Sequence, residues 1–98
     1  MQFTKKLRGP VKRGEVTCSV RVWKSPRVKV GGRYRLEEGY VVVDKVRPMD
    51  FSDITPRLAR RSGFASVPDL LKTAVHGSGR NVYLVDFHYE SLGDFDET

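Results

Sequence analysis

The chain carries one cysteine, two histidines and one tryptophan in 98 residues, and it has no long apolar run. The lone Cys18 rules out an internal disulfide and a cysteine-based zinc cluster. His76 and His88 lie far apart, with no HxxxH spacing and no carboxylate cluster beside them, so no metal is expected. The glycines Gly31-Gly32 and the GSG at 77–79 make neither a GxGxxG nor a P-loop, which leaves nucleoside triphosphate binding without a motif. No stretch approaches the roughly 20 apolar residues of a membrane span. The first nine residues, MQFTKKLRG, have no signal-peptide core, so a cytosolic location is expected. No cofactor is implied.

Charge is abundant, and it is unevenly placed. The net charge is +6, but residues 1–35 alone carry a net of +10 and residues 36–98 a net of −4. A basic end of this kind suits a polyanion-facing surface; the alternative is a solvated basic face that keeps the protein soluble. With 39% hydrophobic and 31% charged residues, the composition is that of one soluble globular domain with a single core, expected as a monomer.

The most informative stretch is residues 14–36, GEVTCSVRVWKSPRVKVGGRYRL, read as strand, basic loop and strand. Successive side chains of a strand point to opposite faces. Cys18, Val20 and Val22 therefore share a core face, while Thr17, Ser19, Arg21 and Trp23 share the other. The loop adds Lys24, Arg27 and Lys29. Arginine offers a rigid fork of donors to phosphate or a base edge, and an indole can stack on a base. The alternatives are a structural salt bridge from Arg21 to Asp86 or Glu15, and Trp23 as an apolar plug at the end of a barrel.

Around this stretch, Gly9-Pro10 interrupts any long helix near the start, although Phe3 and Leu7 are one helical turn apart. Residues 33–36 and 40–47 read as strands separated by Glu37-Glu38-Gly39, with Pro48 ending the second. Thr55-Pro56 reads as an N-cap and first turn, with Gly63 just past the helix end. Ser66 and Asp69 match a capping box, and Val67, Leu70, Leu71, Ala74 and Val75 follow one helical face, with His76 in the last turn and Gly77 as the stop. Residues 81–89 are the last strand, and an acidic tail over 91–98 frays. Four strands and two short helices predict an α+β domain over residues 1–90, with a mixed, curled, partly closed sheet.

The blocks GEVTCSVRVW, KVGGRYRL, DITPRLARRSGFASVPDLL and VYLVDFHY resemble the ASCH family of small PUA-like domains, over about residues 3–89. The closest pieces are residues 53–71 and Gly14 with Thr17 and Arg21, which sit like the family's G-x-K-T-x-x-x-R signature. The resemblance implies a small PUA-like mixed β-barrel with short helices bordering a cleft that meets RNA or a modified nucleoside. It adds Arg61 and Ser62, beside Gly63-Phe64, to the cleft border. Some members hydrolyse acetylated cytidine with a lysine, a threonine and a glutamate, and others are linked to ribonuclease activity or coactivator complexes. Here those three positions hold Val16, Ser19 and Ser62, and valine can neither lower a nucleophile's pKa nor take its proton.

The reading is thus an RNA-binding module without a required enzymatic role. Single-stranded RNA or a nucleotide meets Thr17, Ser19, Arg21, Trp23, Lys24, Arg27, Lys29, Arg61 and Ser62. The alternatives are a hydrolase of a modified nucleoside or RNA, with Ser19 as its candidate nucleophile, and an interaction module for an acidic protein.

Overall fold

A computed structural model describes residues 1–74 and 80–91. In chain order these form α1 (Lys5–Lys12), β1 (Cys18–Trp23), β2 (Arg33–Leu36), β3 (Gly39–Met49), a 3-10 turn (Phe51–Asp53), α2 (Pro56–Arg61), α3 (Val67–Ala74) and β4 (Asn81–Ser91). The result is a small α+β protein whose four strands curl into a half-barrel in the order β1-β4-β3-β2. Every pairing is antiparallel, so the expected mixed sheet is corrected to an antiparallel one. The sheet is curled and partly closed, as expected: among the described residues β1 and β2 remain its two edges, since four strands are too few to meet around a filled interior.

The sheet divides two apolar clusters. On one face α1 lays Leu7 and Val11, with Phe3 ahead of it, over Val41, Val43, Val85 and Phe87. On the other, Leu58 and Ala59 of α2 and Leu70 of α3 cover Cys18, Val20, Val22 and Val82. The alternation read along β1 accounts for this split: its even-numbered residues enter the helical side, while Ser19, Arg21 and Trp23 turn to the other.

α1 was not expected, because Gly9 and Pro10 fall inside it. It is held by burial of Leu7 and Val11 rather than by propensity, and the Pro10 carbonyl accepts from the N–H groups of Glu15 (2.9 Å) and Val16 (3.3 Å) as the helix ends. Lys12 also reaches the β2–β3 turn, where its Nζ lies 3.2 Å from Glu37 Oε1.

β3 runs past Pro48, which pairs with Tyr83, so the expected stop at this proline is also corrected. Beyond Val43, β4 is the only strand neighbour of β3 among the described residues, and proline is tolerated where one side of a strand has no ladder to break. A bulge between Val43 and Lys45 inserts Asp44 and returns Val46 to the face of Val41 and Val43.

The helical signals appear where the residues place them. Thr55 Oγ1 accepts from the Leu58 N–H at 3.1 Å, and Gly63 takes φ +96 just after α2. Ser66 Oγ accepts from the Asp69 N–H at 3.2 Å, and the Asp69 carboxylate accepts from the Ala65 N–H at 3.2 Å. The last helical turn expected at Val75–Gly77, the GSG at 77–79 and the tail over 92–98 lie outside the described residues. No helix among the described residues is long and apolar enough to cross a membrane.

Candidate functional site

A cleft of about 950 Å³ follows the outer edge of β1. Residues 1–4 and Leu7 wall it on one side of the sheet, Thr73 and Ala74 at the end of α3 wall it on the other, and the β1–β2 loop closes one end with Lys24 and Arg27. Among the described residues that line it none is acidic, and Arg21, Lys24 and Arg27 are all basic.

Arg21 is the centre of this arrangement. Its Nε donates to Ser19 Oγ at 2.8 Å and one terminal nitrogen donates to the Gln2 carbonyl at 2.6 Å, while the guanidinium carbon sits 5.1 Å from the Phe3 ring centroid. No carboxylate among the described residues pairs with it. The two that sequence offered as partners are occupied: Asp86 binds Arg47 at 2.9 Å and Glu15 binds Arg13 at 2.7 Å. Burial pulls the Arg21 pKa down to about 10. A guanidinium taken out of water without a counter-charge favours any anion that enters beside it.

Trp23 is half-buried and contributes an aromatic wall, tilted 35° against Tyr83 with ring centroids 5.9 Å apart. Ser19 is nearly buried, and its hydroxyl is used by Arg21. No histidine or carboxylate among the described residues bonds that hydroxyl.

Five of the residues singled out in the sequence therefore meet in one cleft: Ser19, Arg21, Trp23, Lys24 and Arg27. The others do not line it. Thr17 is exposed ahead of β1 and uses its carbonyl to accept from the Phe87 N–H at 3.0 Å. Lys29 is exposed on the far part of the loop, where its backbone N–H donates to the Tyr34 hydroxyl at 3.1 Å. Arg61 lies at the end of α2, on the side of Cys18, whose thiol is pushed up by burial and pulled slightly back by that charge. Ser62 is buried, and its hydroxyl donates to the Leu58 and Ala59 carbonyls at 3.0 Å each, which makes it part of the end of α2.

Sequence reasoning missed the opposite wall. Gln2 and Phe3 reach the cleft because Phe3 packs on Phe87 with centroids 5.4 Å apart, drawing the start of the chain across the sheet. The Phe3–Leu7 spacing was the available signal.

A second groove of about 540 Å³ runs between α1 and the α2–α3 turn. Its lining carries Lys6 and Arg60 but also Glu15 and Asp69, so its charges balance locally, unlike those of the β1 cleft. Among the described residues, no group of three or more His, Cys, Asp or Glu side chains is placed to hold a metal ion. No protein-family model, curated protein or solved structure matches the chain.

Proposed function

We propose that the protein binds RNA, taking a single-stranded segment or a nucleotide into the cleft along β1. The observation that carries this reading is Arg21: a desolvated guanidinium, in a cleft along the β1 edge where neither a carboxylate partner nor an acidic lining residue is found among the described residues. A phosphate or base edge at Arg21 supplies the missing acceptor, Lys24 and Arg27 receive flanking phosphates, and Trp23 offers its ring to a base. The resemblance of residues 3–89 to ASCH domains points the same way, although fold analogy alone does not fix a function. The Ser19 hydroxyl serves as a fixed acceptor in this reading and has no catalytic part.

Fluorescence anisotropy with a labelled single-stranded RNA and its DNA counterpart, titrated across a salt series, tests the proposal. RNA affinity should fall with salt at a slope of about −0.7 per phosphate neutralised. Arg21→Ala should weaken binding by about 10-fold or more, the loss expected for charge-assisted hydrogen bonds. Lys24→Ala and Arg27→Ala should each reduce the salt slope by about one phosphate's worth. Binding that is indifferent to both salt and Arg21 would overturn it.

A further inference from the structure

The floor of the cleft is a strand edge. Among the described residues β1 pairs with β4 and with no other strand, so its outer side carries main-chain groups without a ladder there. Which groups these are follows from one bond. Thr17 stands opposite Phe87 by continuation of the register, and its carbonyl accepts from the Phe87 N–H at 3.0 Å. Opposed residues of an antiparallel pair alternate between those that exchange hydrogen bonds and those that do not. Ser19, Arg21 and Trp23 therefore bond inward to β4, whereas Cys18, Val20 and Val22 direct N–H and C=O outward. The side chains of Val20 and Val22 are buried in the helical core, yet both residues line the cleft. No backbone group of another described element bonds to them on that side.

An open edge of this length is a template for a further strand, and proteins commonly blunt such edges with charge, proline or a covering element. The opposite edge is blunted: β2 is four residues long and exposes Arg33 and Arg35. β1 is six residues long, has valine, serine and cysteine along most of its length, and is flanked by walls rather than covered.

We infer that β1 is a docking edge for an extended acidic segment of a partner protein, which adds as a fifth strand beside Val20 and Val22. Main-chain bonds supply its affinity, as in other strand-addition modes, and the cations Arg21, Lys24 and Arg27 of the lining supply its selectivity. One side-chain row of the added strand faces the same way as Arg21, and acidic residues there meet Arg21, with Lys24 and Arg27 beyond the strand's end. A second copy of this chain fits poorly, because pairing β1 with itself brings two sets of these cations into one cleft. The inference stands independently of RNA binding; if both hold, the two ligands compete.

The probe is a fluorescein-labelled hexapeptide alternating valine and glutamate, titrated into the full chain by anisotropy. Two N-methylated versions accompany it, one methylated on the valines and one on the glutamates, together with a version carrying lysine for glutamate. Every second amide of an added strand faces β1, so one N-methyl isomer should lose at least about 10-fold in affinity while the other retains it. The lysine peptide should not bind, and Lys24→Glu with Arg27→Glu should weaken the glutamate peptide. In NMR spectra the amides of Val20 and Val22 should shift, with cross-strand contacts between peptide α-protons and β1. Absence of binding by the hexapeptide, or equal effects of the two methylations, overturns the inference. A labelled RNA titrated into the same sample reports on the RNA reading separately, so either can fail alone.

Discussion

Arg21→Met separates a binding role for Arg21 from a structural one. Burial that draws the Arg21 pKa down to about 10 corresponds to roughly 3 kcal/mol by which the surroundings disfavour the charge. Against this stand two charge-assisted hydrogen bonds, to Ser19 and Gln2, and the contact over Phe3, together worth a similar few kcal/mol. The terms nearly cancel, and methionine keeps the apolar stem packed along Phe3. Urea unfolding should therefore place Arg21→Met within about 1 kcal/mol of the parent, whereas breaking a buried ion pair typically costs about 3–5 kcal/mol. The same variant should lose most RNA affinity in the anisotropy assay. A stability loss of about 3 kcal/mol or more, with RNA binding preserved, would show that Arg21 serves the fold, and the argument from its missing counter-charge would fail.

Other substitutions probe the frame that shapes the cleft. Gly63→Ala combines a φ of +96 with a Cβ that would sit 2.4 Å from Leu7 Cδ2, so a loss of about 2–4 kcal/mol is expected in chemical denaturation, partly recovered when Leu7→Val removes the clashing methyl. Thr55→Ala removes the acceptor for the Leu58 N–H and should cost about 1 kcal/mol by the same measurement. His88 donates to Asp44 and Glu90, which raise its pKa above 6.5, so its contribution is full below pH 6.5 and is lost as pH rises through the raised value. Because the site is exposed, that contribution is at most about 1 kcal/mol, and His88→Gln should flatten this part of the pH–stability curve, measured by thermal melts across neutral pH.

Much of the fold was legible because local and tertiary preferences agree. β1 alternates cleanly, Thr55-Pro56 and Gly63 bracket α2, and Ser66 with Asp69 opens α3, so pattern and capping alone place these elements. The failures share a cause in long-range packing. α1 contains Gly9 and Pro10 and is a poor helix in isolation; it exists because Leu7 and Val11 are buried over Val85 and Phe87. Pro48 continues a strand because no described residue pairs on its other side, which depends on how short β2 is. The cleft was half legible for the same reason. Ser19, Arg21 and Trp23 share a face by alternation, and Lys24 and Arg27 follow directly in the chain. Gln2, Phe3 and Thr73 arrive from remote elements, and no spacing rule connects them to β1. Ser62 shows the converse, since a hydroxyl beside a glycine turn can as readily finish a helix as meet a ligand.

Asp44 does more than contribute a carboxylate to His88. Side chains in a strand keep a strict two-residue rhythm, so one surplus residue exchanges inside and outside for everything after it. Here the surplus residue is left unpaired, so Val43 at an odd position and Val46 at an even one both face the layer beneath α1, while Lys45 stays outside. Were Asp44 drawn into the ladder opposite Asp86 instead, Lys45 and Arg47 would turn toward that layer and Val46 would turn to solvent. A one-codon deletion of Asp44 with the pairing kept would straighten the strand and take away one partner of His88, yet leave every later side chain on its present face.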